Sequence, residues 1–206
     1  LGQSERLSRL VDQLLDLSRI ESGDVPLSVE PLNLRALIDR VAREVEVARP
    51  ERRVDMRNDV PEAFPLILAD GERLHQVLFN LLDNAFRFTP AGGTVAVAAS
   101  RADGFCQVQV RDTGPGIPEA HQGLVFERFY RVDPSRSRED GGTGIGLAIA
   151  RSLVEAHGGQ IWAEDAPGGG AMIRFTLPAE GPATTNGGRD DSAKQPALAP
   201  TSRRSG

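Results

Sequence analysis

HQVLFNLLDNAFRF, residues 75–88, is the stretch on which the fold turns. At about 100° of rotation per residue, Arg73, Gln76, Asn80, Asn84 and Arg87 fall within roughly ±40° of one line down a helix. Leu74, Val77, Leu78, Leu81, Leu82 and Ala85 fill the opposite side, an arc wide enough to pack on a sheet. Amide oxygens ligate hard cations, and amide nitrogens donate to phosphate. Arg87 can make a bidentate contact to phosphate oxygens. The alternative is a solvated face on which Asp83 and Arg87 form an i,i+4 ion pair, worth about 0.2–0.5 kcal/mol. Asparagine is a mediocre helix former, so two of them in mid-helix lean toward function.

Two glycine-bearing loops follow. FCQVQVR (105–111) alternates Cys106, Val108 and Val110 with Gln107, Gln109 and Arg111, the period of a strand. At its end stands DTGPGIP (112–118), with Asp112, Gly114, Gly116 and Ile117. A carboxylate there can accept a hydrogen bond from an adenine amino group. Guanine presents a carbonyl instead, and a buried group left unpaired costs about 1–3 kcal/mol. The glycines let backbone approach a base closely. An Asp-Thr-Gly turn that merely closes a strand is the competing reading. Farther on, GGTGIGLAIA (141–150) opens a helix with Gly142, Thr143, Gly144, Ile145, Gly146 and Leu147, and His157-Gly158-Gly159 stops it. Unpaired N–H groups at such a start attract anions. No Gly-Lys-Ser/Thr follows and the only lysine is Lys194, so the segment is no P-loop; nor does it fit the dinucleotide fingerprint GxGxxG. Phosphates would be held by amides, arginines and a metal.

Between these loops, residues 117–141 carry Arg128, Arg131, Arg136 and Arg138, punctuated by Phe126, Phe129 and Tyr130. A weakly patterned stretch of about 25 residues signals a lid or binding loop rather than a plain connection. Arginines on a lid can close over a terminal phosphate. The plain alternative is a mobile surface loop.

Taken together, these segments resemble the ATP-binding domain of sensor histidine kinases, in the gyrase/chaperone/histidine kinase/MutL superfamily. NLLDNAFRFTP (80–90) looks like the N box, DTGPGIP and GTGIGLAIA the two glycine boxes, and FERFYR the F box. HGGQIWAED and GGGAMIRFTLP look like closing strands with a third, weaker glycine box. The resemblance covers roughly residues 1–178. It implies an α+β protein, a two-layer α/β sandwich of the Bergerat type. A mixed sheet of about five strands would carry three helices on one face, with ATP between helices and lid. By position, Asn80 would ligate Mg2+, Asn84 would contact phosphate and Asp112 would read adenine. Arg87 stands where the family usually has lysine and Phe88 where it often has tyrosine; both would line the site. Gln76 sits where the family often has glutamine or glutamate. Arg128 and Arg131 match lid positions near the terminal phosphates. Hydrolytic members carry a glutamate four residues before the Asn84 equivalent. Here that residue is Asn80, which suits ATP held for transfer. The family's alternatives are a nucleotide-binding regulatory module without catalysis and a related serine kinase acting on anti-anti-sigma partners.

ERLSRLVDQLLDLSRIESG (5–23) spaces Leu7, Leu10, Leu14 and Leu17 as a coiled-coil seam. It resembles the second helix of a dimerisation and phosphotransfer domain, and favours the histidine kinase branch. No phosphoacceptor box is present, so no catalytic residue is assigned. His75, His121 and His157 read as structural or solvated. The expectation is part of a longer kinase, with the acceptor histidine upstream of Leu1. A homodimer through this helix and a response regulator receiver domain are the implied partners. Expected limits are a partial dimerisation helix (1–23), a linker and first strand (24–32), the catalytic domain (33–178) and a disordered tail (179–206).

A net charge of −5 argues against a general nucleic-acid binder. One cysteine, Cys106, excludes an internal disulfide and fits a reducing cytoplasm. No run of about 18 apolar residues exists, so any inner-membrane anchor would lie elsewhere in the full protein. Expected elements are strands near 27–29, 54–57, 66–69, 94–100, 105–111, 160–164 and 170–177. Helices are expected over 5–21, 33–49, 71–88 and 146–157, with Asn33 as a cap.

Overall fold

The computed structural model describes residues 26–132 and 143–180. The expected helix over 5–21, Gly142, Arg136, Arg138 and residues 181–206 lie outside the described residues. In chain order the elements are β1 (Val29–Leu32), α1 (Leu34–Ala48), β2 (Asp55–Asn58), β3 (Ile67–Asp70), α2 (Gly71–Phe88), β4 (Thr94–Ala102) and β5 (Phe105–Asp112). They continue with α3 (Glu119–Gln122), α4 (Gly146–Ala156), β6 (Ile161–Asp165) and β7 (Ala171–Pro178).

Five strands form one mixed sheet in the order β2-β4-β5-β7-β6, parallel between β2 and β4 and antiparallel elsewhere. The alternation in β5 decides its two faces. Cys106, Val108 and Val110 are buried and stand opposite Leu177, Phe175 and Ile173 of β7. Gln107, Gln109 and Arg111 point the other way. Val95 and Val97 of β4 extend the apolar face. Leu37, Ile38 and Val41 of α1, the leucines of α2, and Ile149, Leu153 and Val154 of α4 cover it. Each fully buried leucine contributes about 1.5–3 kcal/mol. Leu74, Leu78, Leu81 and Leu82 are all at 1 % exposure or less, so they far outweigh the weak helix propensity of Asn80 and Asn84.

Three expectations need correction. The first strand runs Val29–Leu32 rather than 27–29, because it pairs antiparallel with β3 in a separate two-stranded ribbon, Val29 opposite Asp70. The segment after Pro118 is not plain loop: α3 forms there, and Phe126 is buried in the core. The ordered chain also passes Pro178, since the Ala179 N–H donates to Gly104 O at 2.8 Å.

The helix starts differ in a way that matters for the site. Asn33 caps α1 by accepting from Ala36 N at 3.0 Å, as its sequence position suggests. Asp70 caps α2, Oδ1 accepting from the N–H groups of Glu72 and Arg73 at 3.0 Å each. The start of α4, at Ile145, has no side-chain cap among the described residues.

Candidate nucleotide-binding site

Helix α2 is the wall on which the three expected segments meet. Midway along it, Asn80 faces the start of α4: a Cβ built on Gly146 would stand 3.4 Å from Asn80 Oδ1. A Cβ there would be in ordinary van der Waals contact with the amide, so the start of α4 lies directly against Asn80. Asn80 Nδ2 is buried and has no hydrogen-bond partner among the described residues. Burying a donor this way is costly unless a ligand meets it. Asn84 follows one turn later on the same half-buried line.

At the end of α2 the second segment joins. A Cβ on Gly114 would lie 2.8 Å from Phe88 O and 2.9 Å from Asp112 Oδ1. Asp112 is 9 % exposed, and its Oδ1 accepts from Gly114 N at 2.8 Å and Ala171 N at 3.3 Å. Both bonds fall on one oxygen, which fixes the carboxylate and leaves Oδ2 to accept from a ligand N–H. Burial pushes the Asp112 carboxyl above the usual range, and the two amide bonds offset part of that rise. The Ala171 amide is a contribution that sequence reasoning missed. Its signal was the glycine run 168–170 before β7. Gly170, at φ +90°, lies so close that a Cβ would come 1.9 Å from Asp112 O. Gly116 (φ +78°) packs on Gly170, and Ile117 packs against the core.

The third segment is tied to the stretch around Phe129. Gly144 takes φ +72°, and its carbonyl accepts from Phe129 N at 2.8 Å. Phe129 itself adopts φ +62°, which costs a non-glycine residue about 1–2 kcal/mol. Thr143 Oγ1 accepts from Ile145 N at 3.4 Å; Ile145 is buried and Leu147 packs on the core. Arg131 is half-buried, with Nη2 unpartnered among the described residues; Arg128 is exposed.

The cations on α2 settle differently. Arg87 Nη2 donates to Asp83 Oδ2 at 3.0 Å, the i,i+4 pair. Asp83 Oδ1 also accepts from Arg49 Nε at 2.6 Å, at the end of α1. Phe88 is 49 % exposed beside the Asp112 loop. A cleft of about 410 Å³ opens next to this loop, lined by Gly116, Ile117, Asp165 and Gly170. A larger one, about 680 Å³, runs along β6 and contains none of the expected site residues.

His157 sits at the far end of α4. It is 1 % exposed, donates from Nδ1 to Leu153 O at 2.8 Å and accepts at Nε2 from Asp70 N at 3.1 Å. His75 bonds Glu44 at 2.7 Å, and His121 bonds the Tyr130 hydroxyl.

A family profile described as histidine kinase-, DNA gyrase B- and HSP90-like ATPase matches residues 69–181, which include α2, both glycine loops and the closing strands. The chain belongs to that ATPase family. Sensor histidine kinase WalK of Bacillus subtilis is 38% identical over 179 residues, spanning 86% of this chain and 29% of the relative. Full-length ShkA, solved in complex with AMPPNP, aligns with a TM-score of 0.75 at 34% identity, over 85% of this chain and 36% of that one. Histidine kinase ThkA in complex with response regulator protein TrrA aligns with a TM-score of 0.67 at 26% identity, over 85% of this chain and 49% of that one. This chain thus spans well under two thirds of the relatives' length. Within that family, the relatives and solved structures it resembles here are histidine kinases, and its mixed sheet is theirs.

Proposed function

We propose that this chain is the ATP-binding part of a sensor histidine kinase, passing the γ-phosphoryl group of ATP to a histidine upstream of Leu1. The observation that carries the reading is the meeting of three segments on α2: Asn80 against Gly146, and Phe88 against Gly114 beside Asp112. Asp112 reads the adenine amino group through Oδ2. The uncapped amides of α4 and the Asn84 side chain take phosphate oxygens. Arg128 and Arg131 approach from the lid, and Arg87 joins them by sharing its guanidinium with Asp83.

Mg2+ fits the chemistry at Asn80, whose amide oxygen is a hard ligand at the helix crossing. Among the described residues no group of three or more His, Cys, Asp or Glu side chains could hold a metal alone. The ion would therefore rest on Asn80 and substrate phosphates, the usual arrangement for magnesium, where it neutralises phosphate charge. Asn80 cannot take a proton from water, so the site lacks the base that hydrolysis needs at that position. In the transfer, the histidine nitrogen bonds to the γ-phosphorus, the bond to the β-bridging oxygen breaks, and ADP leaves. What the domain supplies is positioning and charge.

The phosphoryl group is then relayed to a receiver domain. The ATP-binding part works in the cytoplasm. No helix among the described residues is long and apolar enough to cross a membrane.

The test mixes the full chain with a separate protein carrying the upstream acceptor helix and γ-labelled Mg-ATP. Acid-labile, alkali-stable label on the acceptor is expected, and none on the chain alone. Tight nucleotide binding with no label on histidine would contradict the kinase reading.

A further inference from the structure

Helices α2 and α4 touch at two places far apart. At one, Gly146 opens α4 against Asn80. At the other, His157 closes α4 against Asp70, the cap of α2. From residue 70 to 80 a helix rises about 15 Å, and from 146 to 157 about 16.5 Å. The two spans match, so the helices run antiparallel and are pinned at both ends.

We infer that the His157–Asp70 contact is a latch that positions the phosphate-binding start of α4 against the amide row of α2. His157 acts there as a positioning residue, about 15 Å from Asn80. The inference rests on the nucleotide reading proposed above and adds a residue to which that reading gives no role.

Its chemistry is specific to neutral imidazole. Nδ1–H donates to Leu153 O and so fixes the ring on its own helix. That tautomer leaves Nε2 as an acceptor, and the acceptor takes the Asp70 N–H. The same Asp70 caps α2 with Oδ1 and accepts from Ser28 N with Oδ2 at 2.8 Å. One residue therefore ties β1, α2 and α4 together. A proton on Nε2 would set two donors face to face and open the latch. Burial holds the ring's proton affinity below the ordinary histidine value, with the Leu153 bond and the Asp70 charge opposing. Among the described residues the charged group facing the ring is the Asp70 carboxylate. Glu155, two residues back on α4, is held by Arg151 Nε at 2.8 Å.

The experiment measures the affinity of the full chain for a fluorescent ATP analogue with Mg2+ from pH 8 to pH 5.5. Wild type, His157→Gln and His157→Phe are compared. Glutamine keeps one donor and one acceptor but does not titrate; phenylalanine fills the space with neither. His157→Phe is expected to bind about tenfold more weakly across the range, the size of one lost buried hydrogen bond. His157→Gln is expected to stay within about twofold of wild type at pH 8. Because burial lowers the ring's proton affinity, wild-type affinity should hold level with that of His157→Gln from pH 8 to about 6.5, and any steeper fall of wild type belongs below that. Phosphate ionisation is common to both and cancels. Equal binding by His157→Phe and wild type at pH 8 would overturn the latch, and so would His157→Gln binding about tenfold more weakly than wild type there, an outcome that stands even if His157→Phe does not fold. A wild-type chain that binds no nucleotide removes the functional reading itself, an outcome distinct from equal binding by all three proteins.

Discussion

Asp112 is held in place by two backbone amides and raised in proton affinity by burial. A carboxylate kept ionised where burial disfavours it works against stability. Its folded pKa lies above its unfolded value, so the folded state binds more protons and gains stability as pH falls through that window. Asp112→Asn retains an Oδ1 for both amides and removes the charge. The expected outcome is unchanged or higher melting temperature at pH 7, together with adenine affinity lower by about tenfold, since an amide cannot replace the acceptor. Relative affinity for GTP should rise, because the new N–H can meet the guanine carbonyl. Calorimetry with both nucleotides checks each part. At this scale the sequence disclosed side-chain identities and concealed backbone donors. Asn80, Asn84 and Asp112 stood out as candidates by type and spacing. The Ala171 amide was not, because a main-chain N–H carries no residue signature and sits 59 positions away. Arg49 closing on Asp83 was hidden likewise: it joins two helices at a separation that no periodicity encodes.

The elements respond to change according to what their ends hold. Asn33 caps one exposed helix start, whereas Asp70 caps α2, binds Ser28 and is 7 % exposed. Removing an ordinary cap costs about 0.5–2 kcal/mol. Denaturant unfolding should place Asn33→Ala within that range and Asp70→Ala beyond it, because several amides lose their acceptor. The β6–β7 turn offers a sharper contrast. Gly169 and Gly170 both have positive φ, +98° and +90°. A Cβ on Gly169 meets nothing within 4 Å, while one on Gly170 strikes Asp112 O. Gly169→Ala should cost only the left-handed penalty, about 1–2 kcal/mol, and leave nucleotide binding intact. Gly170→Ala should cost more and abolish binding. Equal effects would show that the turn does not brace Asp112. The limits of α2 matched the sequence expectation at both ends, since its leucine spacing is strong and Pro90 follows soon after. Strand β1 did not match. Its four residues include Pro31, carry no clear alternation and depend on β3, 35 or more residues away, for their register.

Across the whole molecule, two buried groups set the acid limit. His157 has a folded pKa below 6.5, so the unfolded chain binds the extra proton first. Its stabilising share is complete above about pH 6.5 and is lost as pH falls below that. Asp70 is also depressed, because its amide bonds and the nearby His157 outweigh burial; its share is lost at lower pH, through the carboxylate range. Scanning calorimetry should give a flat melting temperature from pH 8 to about 6.5 and a decline below it, smaller in His157→Gln. Cys106 gives a second global readout. It is 0 % exposed and burial pushes its thiol up to about 11, so it stays protonated at neutral pH. A thiol reagent should label it only as fast as the sheet opens, and rapid labelling of native protein would show that the core is looser than its packing implies.

The central claim is that the row of amides on α2, the Asp112 loop and the start of α4 serve one adenine nucleotide. The most direct measurement is a 15N–1H NMR titration of the full chain with a non-hydrolysable ATP analogue and Mg2+. The expected result is that the side-chain amides of Asn80 and Asn84 and the backbone amides of Gly114, Gly116 and Gly144 shift together, on one binding curve. Shifts confined to a single segment, or separate curves for separate segments, would contradict it.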